Sequence, residues 1–207
     1  MGFGIIFTGY LFTIFDLLFI VHEGLLVFFC KLLCVIGYTV LLIGLRKFAV
    51  YSRYAKYALY GTVLLDAAMI FDAVVQGLWG SGVMDEATMA GIRTYSYTVN
   101  AVLFAFAQVM LMFAIFDIGR ETECDKVKKN GIRSVAATAA FCLINITATI
   151  IKFGSIFDII HYSLFLIVTA INAVTLYSAY RYICLDTELE AERAEMLKDI
   201  TFKKGKK

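Results

Sequence analysis

Proline is absent from this 207-residue chain, histidine occurs only twice, and charged residues make up just 17%. Each shortage narrows the field. Carriers built on broken helices usually interrupt them with Gly or Pro at corresponding places in two halves, and neither that pattern nor an internal repeat is present. Two histidines leave no HExxH or other paired-histidine motif, and GxSxG, P-loop and dinucleotide fingerprints are missing too. The five cysteines, Cys30, Cys34, Cys124, Cys142 and Cys184, show neither a disulfide framework nor CxxC spacing, so they read as small apolar residues. No cofactor can be named from these residues.

Apolar residues are plentiful. They account for 61% of the chain, with a mean hydropathy of +0.80, where a soluble domain has about 45–50% apolar and about 25% charged residues. Several runs near 20 residues long match a hydrocarbon core about 30 Å thick at a rise of about 1.5 Å per residue. The expected class is all-α: a polytopic membrane protein with six transmembrane helices in an antiparallel up-and-down bundle. Residues 1–183 form that domain, with spans at about 3–21, 25–45, 58–79, 95–118, 134–153 and 159–183. The N-terminal run lacks the basic region and cleavage site of a secretory signal and reads as a retained span. Residues 184–207 read as a short cytoplasmic amphipathic helix, with Leu185, Leu189, Met196 and Ile200 on one stripe.

Lysine and arginine divide unevenly between the two sides. Arg46, Lys47, Arg53 and Lys56, then Arg120, Lys126, Lys128, Lys129 and Arg133, then seven more from Arg181 onward give 16 on one side; Arg93 and Lys152 give 2 on the other. The positive-inside rule then places both termini in the cytoplasm of a cell-membrane protein. Tyr51, Tyr54, Tyr57 and Tyr60 beside the basic residues suit an aromatic belt.

The stretch YALYGTVLLDAAMIFDAVVQGLW, residues 57–79, carries Asp66 and Asp72. Its Leu, Ile, Val and Phe residues favour insertion by roughly 3–5 kcal/mol, while each central Asp opposes it by about 2.5–3.5 kcal/mol. Both carboxylates must therefore avoid lipid. Six residues at 100° each set them about 120° apart around the helix, so they should have different partners. Asp66 counts to mid-membrane; Asp16, Lys31, Asp72 and Asn100 count to the outer third, with Gln76 one turn beyond Asp72.

Intramembrane ionisable residues usually mark pathways or ligand sites. The expected site is Asp16, Lys31 and Asp72, with Gln76 and Asn100 orienting a ligand and Asp66 as an inner relay. Lys31 should pair with Asp16 or Asp72. Gln108, Asn145 and Asn172 lie deeper. The leading expectation is a non-enzymatic protein that binds or translocates a small solute or cation through an outward-facing polar cavity.

Two alternatives stand beside it. One is an accessory or assembly subunit of a membrane complex, which would hold a partner protein or further copies of itself. The other is a metal-dependent membrane-embedded hydrolase, in which His22, Glu23, Asp158 and His161 meet at the outer mouth as nitrogen and oxygen ligands. The lipid bilayer is the expected surroundings, and no nucleic-acid partner is expected. In architecture alone, with no shared motif, the arrangement resembles the small substrate-capture subunits of vitamin and metal importers.

Overall fold

The computed structural model describes residues 2–13, 25–150 and 155–185, with 25–27, 93–94, 149–150, 155–159 and 184–185 described by backbone only. Six helices follow in order: α1 Phe3–Thr13, α2 Leu25–Phe48, α3 Arg53–Gly80, α4 Glu86–Glu121, α5 Asp125–Ile150 and α6 Ser155–Ala179. The last continues as a wider π-helical turn over Tyr180–Leu185. No strand occurs among the described residues. The helices α2 to α6 are each long and apolar enough to cross a bilayer, and α1 is a shorter apolar helix. The chain is an all-α polytopic membrane bundle. Residues 14–24, residues 151–154 and residues 186–207 of the tail expected to be amphipathic lie outside the described residues.

Each helix packs on the next in sequence, and α6 returns to α1 and also touches α4, so the bundle closes into a ring. The connections are shorter than the polar breaks in the sequence imply. Residues 49–52, 81–85 and 122–124 suffice, because charged residues extend a helix past the membrane as readily as they form a loop, and capping decides where it starts. Ser52 opens α3, its hydroxyl accepting from Tyr54 N at 3.2 Å. Asp85 opens α4, accepting from Thr88 N at 3.1 Å and Thr88 Oγ1 at 2.6 Å. Those bonds favour the ionised cap and hold its carboxyl below the usual carboxylate range. The α4 helix has 36 residues, about 54 Å at 1.5 Å each, far more than a bilayer core requires.

Close packing is achieved by glycines in mid-helix. A Cβ on Gly9 would meet Leu41 N at 2.5 Å, one on Gly44 would meet Ile6 N at 2.8 Å, and one on Gly37 would touch Phe12 and Thr13. Gly2 and Gly9 are seven apart, as are Gly37 and Gly44, so one seam runs the length of the α1–α2 contact. Gly119 and Gly131 let α4 and α5 approach in the same way, against Lys128 N and Phe116 Cα. Alanines are used less consistently: Ala136 and Ala140 of α5 face out of the bundle, while Ala101 of α4 is buried.

The apolar core is concentrated towards the end carrying the α2–α3 and α4–α5 turns, called here the basic end. There Phe3, Phe48, Ala55, Ile115, Ile118 and Val127 are shielded completely or nearly so. Tyr51, Tyr57 and Tyr60 are exposed around that end, whereas Tyr54 turns inward and stacks on Phe113 with centroids 5.6 Å apart. Towards the opposite end fewer of the described side chains are buried, and Leu78, Trp79, Tyr95 and Tyr97 are exposed.

The basic end also contains a buried carboxylate. Asp117 is 7% exposed and accepts from Ser52 Oγ at 3.1 Å and from Arg120 Nη2 at 2.8 Å. Because Ser52 is also the α3 cap, this bond ties the α2–α3 turn to α4. Arg120 is largely exposed, so its ion pair adds little. Asp117→Ala should cost about 1–2 kcal/mol, chiefly the Ser52 bond, read as a lower unfolding midpoint in detergent titration. Arg120→Ala should cost far less.

Candidate functional site

The two aspartates of α3 point to different helices, as their 120° separation requires. Asp66 Oδ2 accepts from Thr39 Oγ1 on α2 at 3.3 Å. Asp72 faces α4: Ser96 Oγ donates to Oδ1 and Asn100 Nδ2 donates to Oδ2 at 2.6 Å. Ser96 and Asn100 are one turn apart on α4, so both reach the same carboxylate. Asp72, Gln76 and Asn100 are all half-buried. The oxygen of the Asn100 amide is buried and has no hydrogen-bond partner among the described residues.

Lys31 is half-buried on α2. The α2–α3 register is set by the Thr39–Asp66 bond and by Phe28, whose ring lies 3.4 Å from where a Gly77 Cβ would stand. Lys31 falls between those points, level with the turn that carries Asp72. The structure thus gathers Lys31, Asp72, Gln76, Ser96 and Asn100 into one layer near the end opposite the basic turns. Asp66 sits deeper, about 9 Å further along α3 by helix rise. Asp16 lies outside the described residues.

A second polar set fills the α5–α6 contact. Ser134 Oγ and Thr138 Oγ1 both donate to Asn172 Oδ1, at 2.5 and 3.0 Å. Tyr10 of α1, fully enclosed, places its hydroxyl against Asn172 and Thr169. Asn130 Nδ2 donates to Ser178 Oγ at 3.1 Å towards the basic end. Towards the other end His161 Nε2 lies 3.0 Å from Asn145 Oδ1, and its ring stacks on Phe141. These pairs join helices and satisfy one another, which is the structural use of polar groups in a bundle.

Sequence reasoning missed Ser96, Ser52 with Asp117, and most of this seam. The signal was available: 130, 134 and 138 recur every four residues on α5, and 169, 172, 175 and 178 every three on α6.

For the metal reading, His22 and Glu23 lie outside the described residues and Asp158 is described by backbone alone, leaving His161 with Asn145. Among the described residues no three His, Cys, Asp or Glu side chains gather to hold a metal ion. Compared with protein-family models, with curated proteins and with solved structures, the chain matches none.

Proposed function

We propose that this membrane bundle is non-enzymatic and binds a small solute or cation at the α3–α4 carboxylate, taken from the end opposite the basic turns. One observation carries the reading: the half-buried Asp72 carboxylate is held by two neutral donors, Ser96 and Asn100. They fix its direction without cancelling its charge. Beside it the Asn100 carbonyl is a buried acceptor without a donor among the described residues. A carboxylate and a bare amide oxygen together suit a cation or an ammonium group, which supplies the donors and the charge that both lack. Gln76 would orient the ligand and Lys31 would meet any acidic group it carries. By the positive-inside rule the site faces outward and both termini face the cytoplasm.

Native mass spectrometry of protein extracted gently from its own membrane, with metal analysis of the same sample, tests this. A defined small mass or metal should accompany the wild-type chain. Occupancy should fall at least about tenfold in Asp72→Asn, the effect of about 1.4 kcal/mol lost from one charged contact, with helicity unchanged. Equal occupancy in that variant would rule out the site. Recovery with another polypeptide and no small mass would instead make the chain an accessory subunit.

A further inference from the structure

Three buried side-chain oxygens have no hydrogen-bond partner among the described residues: Asn100 Oδ1, Asp66 Oδ1 and Gln108 Oε1. The first belongs to the site above. The other two lie inside the core, with Asp66 8% and Gln108 2% exposed. A bare acceptor in a membrane interior loses its water without replacement, and nothing in the surrounding hydrocarbon can supply a donor.

Helix register brings the two side chains to neighbouring levels of the α3–α4 pair. Asp72 is bonded to Ser96 and Asn100, and a Cβ on Gly61 would meet Phe106 and Ala107. Asp66, midway between Asp72 and Gly61, therefore lies opposite residues 102–104 of α4. Side chains lean towards the N-terminus of their own helix, and α3 and α4 run antiparallel. Asp66 leans towards Gly61 and Gln108 leans back towards Phe104, so each side chain reaches along the axis towards the level of the other.

Among the described residues, the surroundings contain no positive charge to balance an ionised Asp66. From α2 it faces Thr39, with Tyr38 and Cys34 nearby; α4 has no titratable side chain between Tyr97 and Asp117; on α3 the nearest are Tyr60 and Asp72. Lys31 is two turns further along α2, at the Asp72 level. Turning the Gln108 amide over would offer an N–H but no charge.

We propose that Asp66 is a proton-binding site: the folded protein holds it as a neutral carboxylic acid, Oδ1–H donated to Gln108 Oε1 while Oδ2 accepts from Thr39. One proton added to one carboxylate gives both bare oxygens a partner and removes the charge from the core. The site is separate from the Asp72 site and does not depend on how that site is used.

Infrared absorption of the full chain in lipid bilayers at neutral pH tests it, in the C=O region where protonated carboxyls absorb apart from carboxylates and amides. One acid band is expected. It should vanish in Asp66→Asn, persist in Asp72→Asn, and move to higher wavenumber in Gln108→Leu, where the acceptor is gone. Asp66→Asn keeps the shape and an N–H for Gln108, so it should fold. If it does not, 13C-labelling of aspartate carboxyls in the wild type and in Gln108→Leu reads the same band and its shift. Absence of an acid band, or its loss in Asp72→Asn instead, overturns the proposal. A band indifferent to Gln108→Leu overturns the shared proton. An ionised Asp66 in a protein stabilised by sodium chloride but not by choline chloride would assign the site to a metal cation and likewise overturn it.

Discussion

Gly9→Val should unseat α1, lowering the unfolding midpoint in detergent titration by the equivalent of about 3 kcal/mol, or preventing recovery of folded protein. The reason is the character of the obstacle. A Cβ at Gly9 would stand 2.5 Å from Leu41 N, 2.8 Å from Leu41 Cα and 2.9 Å from Gly37 O. All three are backbone atoms of α2, so no rotamer change relieves the clash and the helices must separate. Separation then loosens Phe3, Ile6 and Tyr10, which are buried along the same seam. A control isolates the cause. Gly91, in α4, has nothing within 4 Å of its would-be Cβ, so Gly91→Ala should stabilise by about 0.5–1 kcal/mol through helix propensity. If both substitutions moved the midpoint in the same direction, the close α1–α2 seam would be wrong.

Asn172→Leu should be the next most damaging change, costing about 2–3 kcal/mol in the same titration. Its Oδ1 accepts from Ser134 and Thr138, and the Tyr10 hydroxyl lies against the same amide. Leucine has a similar volume but leaves these donors facing carbon. Ser134 and Thr138 can turn back to carbonyls of their own helix and Tyr10 keeps Thr169; the expected size comes from losing three contacts at one enclosed amide together. Single hydrogen bonds between membrane helices average only about 0.6 kcal/mol, so Asn145→Leu, which removes one partner from the half-buried His161, should cost no more than that. A double-mutant cycle of Asn172→Leu with Thr138→Val should show less than additive loss, since the second change removes a donor that has already lost this acceptor.

Hydropathy made the bundle legible, because one physical constraint, the thickness of the bilayer, fixes span length. Helix ends were less so. The basic run at 46–57 and the segment 80–94 contain enough charge to read as loops, yet both are mostly helix. Outside the hydrocarbon, water accepts charged side chains on a helix as well as in a turn. The Asp66–Asp72 divergence followed from helical geometry and two residue numbers. The partners did not: Thr39, Ser96 and Asn100 depend on how α2 and α4 are rotated against α3, which no span count contains. Asp117 was overlooked since it sits at the end of a span beside Arg120, where a carboxylate ordinarily faces water. In the fold the Ser52 cap covers it.

The bonding of α3 also bears on the order in which the chain is made. One of its carboxylates is met by Thr39, on a helix synthesised earlier; the other waits for Ser96 and Asn100, on a helix synthesised later. A nascent chain halted after Gly80 therefore has an α3 with Asp72 still bare, and it should remain at the insertion machinery or slip back into water. Adding the next 20 or so residues brings the missing donors. The hairpin α3–α4, rather than α3 alone, is thus the unit that partitions into lipid, and the ribosome supplies it in one uninterrupted stretch.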